Sequence, residues 1–231
     1  MVADYSLHTA CMNGETTTVQ QILSENPRAV MVKDDDSRYP LHWAVSFQHD
    51  SIVELLLSYM KKVDLDTVVD DSGWSPVHIA SSTGSATILQ KLLDHTIEPN
   101  VDAQTSNGIT ALHLACSKKH LSVVQLLIDR GASVRIKDKL DQLPLHRAAA
   151  SGSTGIVSIL CDQKSPVNTK DKNGWLPLFH ALAEGRGDVA VTLVNKYHAS
   201  WEGQSDDNDL TIDKVCADEK VKQYFLSKAD R

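Results

Sequence analysis

Aromatic residues are scarce in this 231-residue sequence, at 5% of the chain. A core must then be aliphatic, and a hydrophobic content of 42% supplies enough material for one. No apolar run approaches the roughly 18 residues that a membrane-spanning helix needs, which excludes a span. The opening residues MVADYSLH (1–8) have neither the basic flank nor the apolar stretch of a secretory signal. Paired cysteines are missing as well. Cys11, Cys116, Cys161 and Cys216 lie far apart, so they read as reduced thiols packed as small hydrophobes, as in a cytoplasmic or nuclear chain. Positive charge is short, and a formal net charge of −7 argues against a dedicated nucleic-acid binder. The motifs H-E-x-x-H, G-x-S-x-G, the Walker glycine loop and G-x-G-x-x-G are all absent. EGRGD (184–188) has two glycines but follows a helical pattern, so it is expected to be a loop between two helices.

What the sequence has in abundance is one phrase. It occurs as SRYPLHWAV (37–45), SPVHIA (75–80), TALHLA (110–115), LPLHRA (143–148) and LPLFHA (176–181). Its anchors His42, His78, His113 and His146 are separated by 36, 35 and 33 residues, and a further 33 reaches Phe179. Stepping outward at the same period gives His8 and Asp213. Ala follows two residues after six of these anchors, as Ala10, Ala44, Ala80, Ala115, Ala148 and Ala181, and Val215 follows the seventh. A polar turn precedes the phrase, and an aliphatic helical segment such as IVELLL (52–57) or VVQLLI (123–128) follows it. The order of polar turn, short helix, loop and second helix, with this phrase, resembles the ankyrin repeat.

Each residue type in the phrase has a physical task. Ser or Thr caps the first helix, and Pro suits its first turn because the missing N–H would have no partner there. Leu enters the core, and Ala permits close helix approach. His bridges backbone groups of neighbouring loops through its two ring nitrogens. Gly73, Gly108 and Gly174 supply the backbone freedom that a tight hairpin turn requires. The expected fold is therefore all-α: a solenoid of seven helix-turn-helix units with protruding β-hairpin-like turns and a concave binding face. It forms a single ankyrin-repeat domain over 1–231, with units at about 1–33, 34–69, 70–104, 105–137, 138–170, 171–204 and 205–231, the first and last being caps.

Ten histidines invite a metal or hydrolase reading. Stacked anchors engaged with their own loops do not converge as metal ligands must, at about 2 Å from one ion. No catalytic residue, metal or cofactor is assigned, and the chain reads as a non-enzymatic binding protein.

Binding must then use the turns and the exposed face of each first helix. Helical phase places Trp43, Phe47, Ile79, Ser82, Leu114, Lys118, Arg147, His180 and Glu184 on that face. The turns add Asp36, Arg38, Asp70, Asp71, Trp74, Lys139, Leu140 and Trp175. Large aromatics there read as interface anchors, although Trp74 and Trp175 could instead cover neighbouring turns. Acid dominates the early turns, through Asp34, Asp35, Asp36, Asp70 and Asp71. Lys118, Lys119, Arg135, Lys137, Lys139 and Arg147 make the fourth and fifth units basic, which predicts a partner with complementary charge at each end.

Several departures from the generic phrase resemble the gankyrin family, the ankyrin-repeat chaperones of the proteasome regulatory particle. They are DSR (36–38) leading into LHWA (41–44), DDSGWSPVHIA (70–80), GASVRIKD (131–138), LPLHRAA (143–149) and GWLPLFHALAEG (174–185). The resemblance covers essentially the whole chain. It implies an assembly chaperone that binds the C-terminal helical domain of one proteasome base ATPase subunit through the concave face and leaves before or as the particle is completed. Asp36, Arg38, Trp43, Asp71, Trp74, Ser82 and Lys118 match positions the family uses for contact. The Leu-x-Cys-x-Glu motif of animal gankyrin, which contacts the retinoblastoma protein, is absent, because the nearest stretch reads SILCD (158–162). The alternatives are a transcription-factor inhibitor or a ubiquitin-ligase substrate receptor, the latter needing a further recruitment box. A monomer without nucleic-acid or membrane partners is expected. Charge reversal at Arg38 and Asp71 together is expected to abolish binding and leave the fold intact.

Overall fold

The computed structural model describes residues 5–201 and 211–229, without the Asp213 side chain. The predicted anchor Asp213 and residues 1–4, 205–210 and 230–231 of the predicted caps lie outside the described residues in whole or in part. The described chain consists of short paired helices joined by turns, with no β-strand element among these residues. It divides into two compact units, 1–107 and 108–231.

The first unit holds α1 (Ser6–Asn13), α2 (Thr16–Glu25), α3 (Pro40–Ser46), α4 (Asp50–Tyr59), α5 (Pro76–Thr83) and α6 (Ala86–Leu93). Odd-numbered helices are the first of each repeat and stack α1 on α3 on α5, while α2, α4 and α6 form a second row. The second unit repeats this plan. Its first-helix row is α7 (Ala111–Ser117), α9 (Pro144–Ser151), α11 (Pro177–Ala183) and α13 (Ile212–Val215). Its second row is α8 (Leu121–Asp129), α10 (Thr154–Asp162), α12 (Gly187–Asn195) and α14 (Glu219–Lys228).

Among the described residues no helix exceeds 10 residues, too short to be stable alone in water, so packing between rows supports all of them. The phrase explains how. Leu41, Leu112, Leu145 and Leu178 are fully buried, and so are the alanines two residues after the anchors at 44, 80, 115, 148 and 181. A methyl group at those points lets the first helices approach closely, and a larger side chain would overpack the row.

The anchors behave as the sequence predicts, with one refinement. Ser75 and Thr110 cap α5 and α7 through their hydroxyls. At Tyr39 and Leu143 there is no cap hydroxyl, and the histidine ring does the work alone. The Nδ1 atoms of His42 and His146 accept from the backbone N–H of Tyr39 and Leu143 at 3.1 and 3.0 Å. With Nδ1 accepting, Nε2 carries the proton and donates to a carbonyl of a following loop. His42 reaches Trp74 O at 3.0 Å, His78 reaches Ala103 O at 3.0 Å, His113 reaches Gln142 O at 2.9 Å and His146 reaches Thr169 O at 3.0 Å. Each imidazole thus ties its own helix start to another loop of the same unit. Burial holds His42 and His146 down at about 4, and it also lowers His113, so all three are neutral donors at pH 7.

The EGRGD stretch (184–188) forms a shorter loop than the sequence suggests, because α12 already begins at Gly187. A methyl group on Gly187 would lie 2.7 Å from Cδ1 of Tyr224, so α14 packs its phenol ring where only glycine leaves room.

Candidate protein-binding face

Four of the turns are built on one plan, and its organiser is an aspartate; the turn at 105–109 has Thr105 in that place. In the first unit, Asp70 Oδ1 accepts from the backbone N–H groups of Ser72 and Trp74 at 2.9 and 3.0 Å. Asp34 Oδ1 accepts from Asp36 and Arg38 at 3.0 and 2.8 Å. In the second unit, Asp138 Oδ1 accepts from Leu140 and Gln142 at 2.8 and 3.0 Å, and Asp171 Oδ1 accepts from Asn173 and Trp175 at 2.9 and 3.0 Å. A short polar side chain satisfying backbone donors just ahead of it is the chemistry that makes Asp a turn former. The fourth residue of each turn is left-handed: Ser37 at φ 58°, Gly73 at 75°, Asp141 at 58° and Gly174 at 75°. At Gly73 the glycine is required twice over, since a Cβ there would lie 2.8 Å from the Ser106 amide nitrogen.

The second carboxylate oxygen of each turn aspartate is also taken. Nine residues after the aspartate, the position following the anchor reaches back to it. The Trp43 indole N–H donates to Asp34 Oδ2 at 2.6 Å, Arg147 Nη2 donates to Asp138 Oδ2 at 2.7 Å, and His180 Nε2 lies 2.9 Å from Asp171 Oδ2. Gln142 Nε2 adds a second donor to Asp171 at 2.9 Å. In the Asp70 turn the position is an isoleucine, Ile79, and Arg38 from the preceding turn donates to Asp70 Oδ2 at 3.4 Å instead. Burial tends to raise Asp34 and Asp171, but these donors and the turn N–H groups outweigh it and hold both below the usual carboxylate range.

This geometry sorts the residues predicted for binding. Asp36, Phe47, Asp71, Lys118, Lys139, Leu140 and Glu184 are exposed, Phe47 at 50% and Leu140 at 52%. Arg38, Trp43, Trp74, Ser82, Leu114, Arg147, Trp175 and His180 are half-buried. Two expectations fail. Asp70 is buried, with both oxygens engaged inside the chain, so it is a framework residue. Ile79 is 5% exposed, because at the position whose counterparts lie against the turn carboxylate an aliphatic side chain has no polar tip to bring it to water. The contacts of Arg38 argue against the expectation that it can be reversed without cost to the fold. Its guanidinium pairs with Asp70 and lies over the Trp43 ring at 5.0 Å, and a carboxylate there would face the buried Asp70 carboxylate.

The aromatics are less free than helical phase suggests. Trp175 stands edge-on to Phe179 and His180 at 6.3 and 5.2 Å, so it covers its own turn. Trp43 stacks on Phe47 at 6.3 Å, and Phe47 stacks on His49 at 6.3 Å, so Phe47 is the exposed middle ring of a three-ring row. Sequence reasoning missed the role of Asp138 and Asp171, although an Asp recurring at 34, 70, 138 and 171 was a readable signal. It also missed Tyr5 and Met12, which line an opening beside His8, Thr9, Trp43 and Asp34 to Asp36. The three buried thiols are inert. Burial pushes Cys11 and Cys161 up to about 12 and raises Cys116 further, so none is a thiolate at neutral pH. Among the described residues no three His, Cys, Asp or Glu side chains gather as a metal site would need.

Sequence and structure comparisons agree with this architecture. The family described as "Ankyrin repeats (3 copies)" matches residues 7–103, 58–138 and 131–204. The chain is 49% identical to the "Probable 26S proteasome regulatory subunit p28" of Saccharomyces cerevisiae, over 98% of this chain and 99% of that protein. It is 37% identical to the ankyrin repeat-containing protein C6C3.08 of Schizosaccharomyces pombe, over 52% of this chain and 51% of that one. The crystal structure of the ankyrin repeat domain of Bcl-3 superposes with a TM-score of 0.77 at 26% identity, covering 97% of this chain and 99% of that chain. From its repeated phrase, its aspartate-built turns and its end-to-end likeness to the yeast protein, the chain belongs to the ankyrin-repeat family and, within it, to the gankyrin group.

Proposed function

We propose that this chain is a non-catalytic scaffold of the proteasome: an assembly chaperone of the regulatory particle that holds the C-terminal helical domain of one base ATPase subunit against its turns and first helices. The yeast relative named as a regulatory subunit shares nearly the full length of the chain, which supports a proteasome-associated role. The observation that carries the reading is the set of side chains the fold does not use. Asp36 and Asp71 in the first unit, and Lys118 and Lys139 in the second, are exposed and make no side-chain bond among the described residues. Phe47 in the first unit and Leu140 in the second offer exposed apolar area. Within each unit, folded turns that carry exposed charge and an apolar side chain suit a folded helical partner, because little ordering cost is added on binding. A subunit covered in this way would be kept from the core particle until release. A monomer in cytoplasm and nucleus fits the same reading.

The test is capture of isolated ATPase C-terminal domains by the purified chain. Reversing Asp36 and Asp71 together to Lys should weaken capture of one such domain about tenfold or more, with the melting temperature unchanged. Capture at the original affinity would remove the assignment of this face.

A further inference from the structure

Asparagine followed by glycine is a chemically weak pair. The amide nitrogen of the second residue can attack the side-chain carbonyl carbon of the first, and glycine leaves that nitrogen unshielded because it has no Cβ. The chain has three such pairs, Asn13–Gly14, Asn107–Gly108 and Asn173–Gly174. By sequence they are equivalent. Their settings in the fold are not.

Asn13 closes α1, and two bonds hold its pair. Its side-chain amide donates to Glu15 Oε1 at 3.0 Å, and the Gly14 N–H caps the helix by donating to Ala10 O. Attack there would break both bonds and distort helical backbone. Asn173 sits in the Asp171 turn. Gly174 is buried and its N–H donates to Asp171 O at 2.9 Å, while the Asn173 N–H is held at 2.9 Å by the Asp171 carboxylate. The third pair is more open. Asn107 is exposed, its side chain makes no hydrogen bond among the described residues, and Gly108 is half-exposed. Its turn starts at Thr105, whose neutral hydroxyl accepts the Asn107 N–H at 3.4 Å. A neutral acceptor at that distance holds a turn less firmly than a carboxylate at 2.9 Å, so this turn opens more often.

We infer that Asn107 is a site of spontaneous deamidation, reached through a five-membered imide formed with Gly108. The Gly108 nitrogen, its proton taken by hydroxide, bonds to Asn107 Cγ. The Cγ–Nδ2 bond breaks, and Nδ2 takes a proton from water and leaves as ammonia. Water then opens the ring in one of two ways. Cleavage between the Gly108 nitrogen and Cγ gives aspartate on the original backbone. Cleavage between that nitrogen and the Asn107 backbone carbonyl gives an isoaspartyl link, with one more methylene in the main chain. Neither route needs an enzyme or an oxidant, and neither depends on a bound partner. Both products add one negative charge to an exposed turn, and the second also lengthens it.

The full chain, aged in mildly alkaline buffer and then digested for mass spectrometry, should convert amide to acid at Asn107 about fivefold faster than at Asn13 or Asn173. The rate should fall in mildly acidic buffer, where fewer amide nitrogens lose their proton. An isoaspartyl O-methyltransferase with labelled S-adenosylmethionine should label the aged chain and not the fresh one. Asn107→Gln, which would need a six-membered ring, should lose both the conversion and the label at this position while melting like the parent. Ageing in urea, with the turns unfolded, should bring the three rates close together. No conversion at Asn107, faster conversion at either other pair, or labelling unchanged in Asn107→Gln would overturn the inference. Rates that stay just as far apart in urea would overturn it too, because flanking sequence and not the fold would then be selecting the site.

Discussion

The turn at residues 34–38 and the turn at residues 138–142 share a backbone and differ in what surrounds it. Both start from an Asp whose Oδ1 accepts two N–H groups ahead of it, and both use a left-handed fourth residue, Ser37 or Asp141. Both spend Oδ2 on the residue nine positions later, Trp43 or Arg147. Around this shared frame the first turn places Asp35 and Asp36 in solvent, and the second places Lys139 and Leu140 there. The difference separates two jobs that a sequence writes with the same letters. The carboxylate inside the turn makes the turn, and the charge beside it is left for recognition.

Acidification should break the frame in both regions at once, and it is the largest effect expected. His42 follows the first turn and His146 follows the second, and both fall from an ordinary value of 6.5 to about 4 when folded. Between those values the unfolded chain binds protons that the folded chain refuses. Stability that is full above pH 6.5 is therefore lost as pH falls toward 4, by about 2–3 kcal/mol for each imidazole. Urea unfolding across this range checks it, and a flat profile would show that the rings titrate normally.

Asp138→Ala comes next, with a loss of about 3 kcal/mol, because two backbone donors and the Arg147 guanidinium lose their acceptor at a carboxylate 2% exposed. Asp34→Ala should cost less, about 1–2 kcal/mol, since its half-exposed site lets water replace the carboxylate. Equal losses in thermal unfolding would mean that the two frames are not graded by burial. The smallest effect on stability should come from exchanging the surroundings: Asp36→Lys or Lys139→Glu should stay within about 0.5 kcal/mol of the parent. Those two variants belong to the binding assay, where each should lower affinity through its own region.

Much of this could be read before any coordinates. The period, the helix pairs, the proline at the first helical turn, the alanine at the close approach and the bridging histidine all depend on local pattern repeated along the chain. The candidate face was read only partly. Helical phase gives the direction in which a side chain leaves its helix, which is why Phe47, Lys118 and Glu184 are exposed as expected. It does not say whether a side chain's polar end is already spent. Trp43, Arg147 and His180 point the right way and still return their donors to the turn carboxylates. Asp70 and Asp71 are adjacent and chemically identical, yet the first is enclosed by its own turn and Arg38 while the second stands in water.

The sequence alone determined the repeat, because a unit of about 33 residues cannot bury its apolar face by itself and must be written again and again to be stable. Only the tertiary structure decided which polar groups belong to the fold and which remain for a partner. That choice turns on contacts a few ångströms long, between residues from two to 32 positions apart, and on a single backbone angle at Tyr5 that leaves one imidazole nitrogen without a donor.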